Sequence, residues 1–131
     1  MKLGDSAEVT RSVCTRDLSD YTALSHHVIC GDLVPEPLIG ALFSYLLGVQ
    51  LPGNGANYLK QETRFHRASR VDDALTARVE VTRIRPEKNL VDLSTTCTGP
   101  DGQLIASGRA LVSVRDVTTR PNAKFLGKKI L

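Results

Sequence analysis

The densest run of reactive side chains is HHVICGDLVPEP, residues 26–37. It brings His26, His27, Cys30, Asp32 and Glu36 into one short stretch. A histidine near its reference pKa takes or gives a proton with equal ease. Carboxylates in reach of a water or a substrate carbon do general acid–base work. Cys30 would need an imidazole partner to act as a nucleophile, and His27 lies three residues away. Glu36 stands where a helix begins, so its charge first of all complements the helix dipole. Elsewhere, His66 falls on a strand pattern at the polar face, Cys97 reads as a small buried hydrophobe, and Asp20 reads as surface charge on a short helix.

The elements that must hold this run follow from periodicity. Residues 7–13 alternate and read as a strand. Thr15 suits the cap of a helix over 16–24, with Leu18, Tyr21 and Leu24 along one side. Gly31, Pro35 and Pro37 make 26–37 a loop. LIGALFSYLLGV, 38–49, is apolar on every side, so a helix there must be wrapped by other elements. It is too short to span a bilayer. LPGNGAN, 51–57, ends it with turn residues. Strands follow at 58–66, with Leu59 and Phe65 on one face, at 74–84, at 90–98 and at 103–115. Gly99–Gly102 is the hairpin turn between the last two. One buried helix followed by alternating strands predicts an α+β fold in which an antiparallel sheet wraps a central helix. Its open edge favours pairing with a second copy.

The totals agree with one such domain over 1–115 and a basic C-terminal tail over 116–131. The chain has 131 residues, 41% hydrophobic and 24% charged, enough for a core without staples. A net charge of +3 is too mild to argue for nucleic acid. Three cysteines with no CxxC pair argue against a zinc site or a disulfide framework. The expected setting is reducing and cytoplasmic. The first ten residues lack an apolar signal core, and no apolar run predicts a membrane span.

The stretches TRSVCTRDLSDYTALS (10–25), LLGVQLPGNGANYLKQETRFHRA (46–68) and TRIRPEKNLVDLSTTCTGPDGQLIASGRALV (82–112) resemble the MaoC-like hot-dog domains. Within these they resemble the (R)-specific enoyl-CoA hydratases, above all the hydratase domain associated with phosphate acetyltransferases. The family pattern is a helix ending in LLG, then LPGxGxxYLxQxxxF, then RPEKxxVxL. The resemblance implies a hot-dog fold and an acyl-CoA or acyl-carrier-protein thioester as partner. It implies hydration of trans-2-enoyl thioesters, or dehydration of 3-hydroxyacyl thioesters, by a homodimer or higher oligomer. Such chemistry needs a base for water at C3, an acid for C2 and a donor on the thioester oxygen.

The family places its acid and base in a GDxNPxH segment, and this chain departs from it. In register, His26 replaces the glycine, His27 the aspartate, and Ile29–Cys30 the Asn–Pro pair. Asp32 stands where the histidine would be. The helix entry VHGM becomes Val34-Pro35-Glu36-Pro37, on a shorter loop. Two readings follow. His27 and Asp32 form an exchanged acid–base pair, with the Glu36 backbone N–H as the oxygen's donor. Or the segment has lost catalysis, and the domain binds an acyl thioester or serves assembly. The Glu36 carboxylate is the alternative group, as in some hot-dog thioesterases. Neither reading calls for a cofactor or a metal.

Overall fold

The structure, a computed structural model, describes residues 1–29 and 31–115. The expectations for Cys30 and for the tail 116–131 lie outside the described residues. The elements are β1 (Ser6–Ser12), α1 (Thr15–Ser25), α2 (Glu36–Tyr45), a π turn (Leu46–Gln50), β2 (Asn57–Phe65), β3 (Ala74–Arg85), a 3-10 turn (Pro86–Lys88), β4 (Leu90–Thr98) and β5 (Leu104–Ser113).

The five strands form one sheet in the order β1-β3-β4-β5-β2, each neighbouring pair antiparallel. Strict alternation builds its inner face. Leu75, Ala77, Val79 and Val81 of β3 are buried, as are Val91, Leu93 and Cys97 of β4 and Ala106, Ala110 and Val112 of β5. Residues opposite one another across the ladder share a face, so these rows coincide. Ile39, Phe43, Leu46 and Leu47 press onto them. Burial lifts the Cys97 thiol to about 11.

The helix is not buried on all sides. Ala41 is exposed, and Leu38, Leu42 and Tyr45 are half-buried. The sheet covers one face only, because five strands of one chain do not close around it.

β5 approaches β2 closely at Gly108. A Cβ there would strike the Glu62 carbonyl oxygen, so only glycine lets β2 lie against β5 at this twist. Before that point β2 is irregular. Tyr58 pairs with Val112 and Lys60 with Leu111, leaving Leu59 as a bulge. Leu59 is therefore 55% exposed and does not share the inner face with Phe65, as simple alternation had predicted. One inserted residue reverses the facing of everything before it. His66 lies just past β2, exposed, with Nε2 2.7 Å from Ser107 Oγ. Among the described residues no helix is long and apolar enough to cross a membrane.

Candidate active site

The loop that carries the reactive run hangs between the end of α1 and the start of α2. Helix α1 begins one residue earlier than its threonine suggested. Cys14 is the cap residue, and its N–H donates to Asp17 Oδ2 at 2.9 Å. That hydrogen bond holds the Asp17 carboxyl below its ordinary range. The helix closes at His26, whose backbone is left-handed (φ 58°) and whose N–H donates to the Thr22 carbonyl at 2.8 Å. Histidine is among the residues that tolerate this conformation. His26 thus serves the helix end. His27 follows, exposed, its backbone N–H reaching Ser25 Oγ at 3.2 Å.

The second half of the loop is stitched down. The Val71 N–H donates to the Asp32 carbonyl at 2.7 Å, and the Val34 N–H to the Ser69 carbonyl at 2.8 Å. These form a bridge between Leu33 and Arg70. Arg70 Nη1 adds bonds of 2.9 and 2.8 Å to the two Asp32 carboxylate oxygens. Asp32 therefore has a fixed backbone and an engaged but exposed carboxylate. Its partner is Arg70 rather than His27. A carboxylate offers about four lone-pair sites, so it retains capacity for a further donor.

Glu36 opens α2, with Pro35 as the cap residue and Pro37 behind it. The first amides of a helix have no acceptor within it. Pro37 has no N–H at all, and the Leu38 N–H already donates to the Pro35 carbonyl at 3.0 Å. The Glu36 N–H is left as the donor at this helix start. Its carboxylate is exposed.

Between α1, the end of β1 and α2 runs a groove of about 350 Å³. Val13, Tyr21, Leu24, Leu38 and Leu42 give it an apolar wall, and Arg11, Asp17 and Asp20 stand at it as well. Arg11 also lies over the Tyr45 ring, 5.2 Å from its centroid. The two helices that wall the groove are the two that bound the reactive loop. Leu24 is 84% exposed and Val28 75%, so one apolar side chain stands exposed on the groove wall and another on the loop. Sequence reasoning placed Asp20 as plain surface charge and missed its position on this groove. It missed Arg70 altogether, since an ion pair across that chain distance leaves no local signal.

A five-stranded antiparallel sheet wrapped over one helix, with a reactive loop at the helix start and an apolar groove beside it, defines a hot-dog domain. No family model matches the chain. It is similar to the (R)-specific enoyl-CoA hydratase of Rhodospirillum rubrum, 33% identical over 128 residues, covering 87% of this chain and 88% of that one. It is 43% identical over 82 residues to the (R)-specific enoyl-CoA hydratase of Aeromonas caviae, covering 63% of this chain and 61% of that enzyme. The solved structure of the (R)-hydratase from A. caviae involved in PHA biosynthesis superposes with a TM-score of 0.83 at 30% identity, over 87% of this chain and 97% of that one. The chain belongs to the (R)-specific enoyl-CoA hydratase family.

Proposed function

We propose that the protein adds water to trans-2-enoyl thioesters, and in reverse dehydrates 3-hydroxyacyl thioesters, carried on CoA or on an acyl carrier protein. The observation that carries this is the apolar groove between α1 and α2, whose walls lead into both ends of the loop holding His27, Asp32 and Glu36. An acyl chain suits the wall, and the polar loop suits the reacting end. The relatives named above are hydratases for such thioesters.

In this proposal Asp32, an acceptor while paired with Arg70, takes the proton of the attacking water as its oxygen bonds to C3. The π electrons move toward the thioester oxygen, where the Glu36 N–H receives the developing charge. His27 delivers a proton to C2, completing the 3-hydroxyacyl product. Water's second proton stays on the new hydroxyl, and proton exchange with solvent resets the pair. The protein acts in the cytoplasm as a homodimer. The exposed Leu24 and Val28 and the open β2 edge support the dimer.

A second reading is favoured by one observation, the engagement of Asp32 by Arg70. It takes the domain as an acyl-thioester binder without turnover. A crotonyl-CoA hydration assay, run beside a thiol-release assay, separates the possibilities. Hydration that is lost in His27→Ala supports the proposal. Thiol release without hydration points to the Glu36 carboxylate as a thioesterase group. Binding of acyl-CoA with neither product supports the second reading.

A further inference from the structure

We propose that Arg11 closes the far end of the groove between α1 and α2, limiting the acyl chain held there to about eight carbons. This rests on the acyl-thioester reading above and adds the class of chain and the residue that selects it.

The apolar part of the groove has a direction. Leu38, Leu42 and Tyr45 follow one another at helical spacing, so they form one stripe along α2. All three are half-buried. On the facing wall Leu24, Tyr21 and Asp17 share a side of α1 for the same reason. The two helices leave the loop in opposite chain directions, α1 from its C-terminal end and α2 from its N-terminal end. Moving away from the loop, one wall therefore runs Leu24, Tyr21, then Asp20 and Asp17. The other runs Leu38, Leu42, then Tyr45.

Both walls turn from apolar to charged at a similar depth. On α1, Tyr21 lies about 6 Å from Ser25 along the axis and Asp17 about 12 Å. On α2, Leu42 lies about 9 Å from Glu36 and Tyr45 about 13.5 Å. Over the Tyr45 ring stands the Arg11 guanidinium, 5.2 Å from its centroid. Arg11 has no ion-pair partner among the described residues, so the ring face is its seat. Asp17 does not neutralise it, because its carboxylate is engaged by the Cys14 N–H.

Chain length follows from these distances. With its thioester oxygen at the Glu36 N–H, an extended acyl chain advances about 1.2 Å per bond, a third of a residue's extended reach. The stretch from Glu36 to Leu42 holds about seven such bonds, which is a chain of about eight carbons. A twelve-carbon chain reaches the guanidinium. Its last carbons would take water from a charge and return no hydrogen bond, which is unfavourable.

The test reads binding, so it stands apart from turnover. The full chain is titrated calorimetrically with saturated butyryl-, octanoyl- and dodecanoyl-CoA. Octanoyl-CoA is expected to bind about tenfold or more tighter than butyryl-CoA, since each buried methylene favours binding about two- to fourfold. Dodecanoyl-CoA is expected to bind no tighter than octanoyl-CoA. Arg11→Leu should tighten dodecanoyl-CoA about tenfold relative to octanoyl-CoA, whereas Arg11→Lys, which keeps the charge, should hold the wild-type ratio. Circular dichroism confirms that both variants are folded. Affinity that keeps rising to dodecanoyl-CoA in the wild type overturns the gate, as does an unchanged ratio in Arg11→Leu. Equal affinity for all three chains places them outside the groove and overturns the proposal. Failure to bind any of them overturns the acyl-thioester reading itself. Length-dependent binding without hydration of crotonyl-CoA removes the hydratase reading and leaves the gate standing.

Discussion

Replacing Asp32 by Ala separates chemistry from stability at one residue. Its ion pair with Arg70 is 2.8 Å long, with side chains 60% and 66% exposed. At that distance two charges in a water-like medium attract by about 1.5 kcal/mol. Ordering two long side chains and screening by salt reduce the net to about 0–1 kcal/mol. The backbone bonds from Val71 to the Asp32 carbonyl and from Val34 to Ser69 do not need the carboxylate and persist. The melting temperature should therefore fall by no more than about 4 °C. The hydration rate should fall by about 100-fold or more, the scale of a lost acid or base. Arg70→Ala should match the small thermal effect and lose less rate, since it acts through Asp32. His27→Ala should match the rate loss with no thermal effect. The His27→Ala/Asp32→Ala pair should be little slower than either alone, as groups working as a unit are non-additive. Thermal melts and initial rates on crotonyl-CoA read all four. Full hydration in the double variant would refute the acid–base assignment. A large thermal loss in Asp32→Ala would refute the reasoning about its exposed ion pair.

Gly108→Ala should destabilise by about 2–3 kcal/mol or more, because the added carbon forces β2 away from β5; a melt unchanged from wild type would count against the close approach. The Cys97 thiol ionises near 11 in the fold and near 8.5 unfolded, so its stabilising contribution is full below about pH 8.5 and is lost as pH rises toward 11. Urea titrations across that range should show the decline, and Cys97→Ala should flatten it. Asp17 is shifted the other way. Its capping contribution is full above about pH 4, the ordinary carboxylate value, and falls as acid carries the pH through the lowered value in the fold. Asp17→Asn should remove that part of the acid dependence, measured by helical circular dichroism.

Much of the fold was legible because one face of each central strand is buried. Alternation over 74–84 and 90–98 anticipated β3, which runs Ala74–Arg85, and β4 at Leu90–Thr98. Gly99–Gly102 turned as expected, with Gly102 left-handed. The apolar stretch 38–49 announced a helix against the sheet, but composition says nothing of coverage, and one chain covers only one face. Leu59 was misplaced because a bulge depends on how β5 meets β2, which no local pattern records. Threonine is a good cap and Thr15 suits the place by type, whereas Cys14 holds it through Asp17. At the candidate site, His27, Asp32 and Glu36 were marked by resemblance and spacing. Arg70 and the groove walls from α1 and α2 were invisible, since they meet only after the chain has folded.

The bulge at Leu59 has a further consequence, for how far association can run. Among the described residues the sheet has two open edges, β1 and β2. A β1-to-β2 contact between successive copies would not close, and each addition would expose the same pair of edges, the recipe for a fibre. A β2-to-β2 contact consumes the longer edge twice and stops. The kink at Leu59 shortens the straight part of that edge, so a foreign strand finds little to extend along. β1 in turn is only seven residues long and carries the charged Glu8. Deleting Leu59 would straighten β2 into a longer template, and the expected penalty is not lost folding but run-on polymerisation at high concentration.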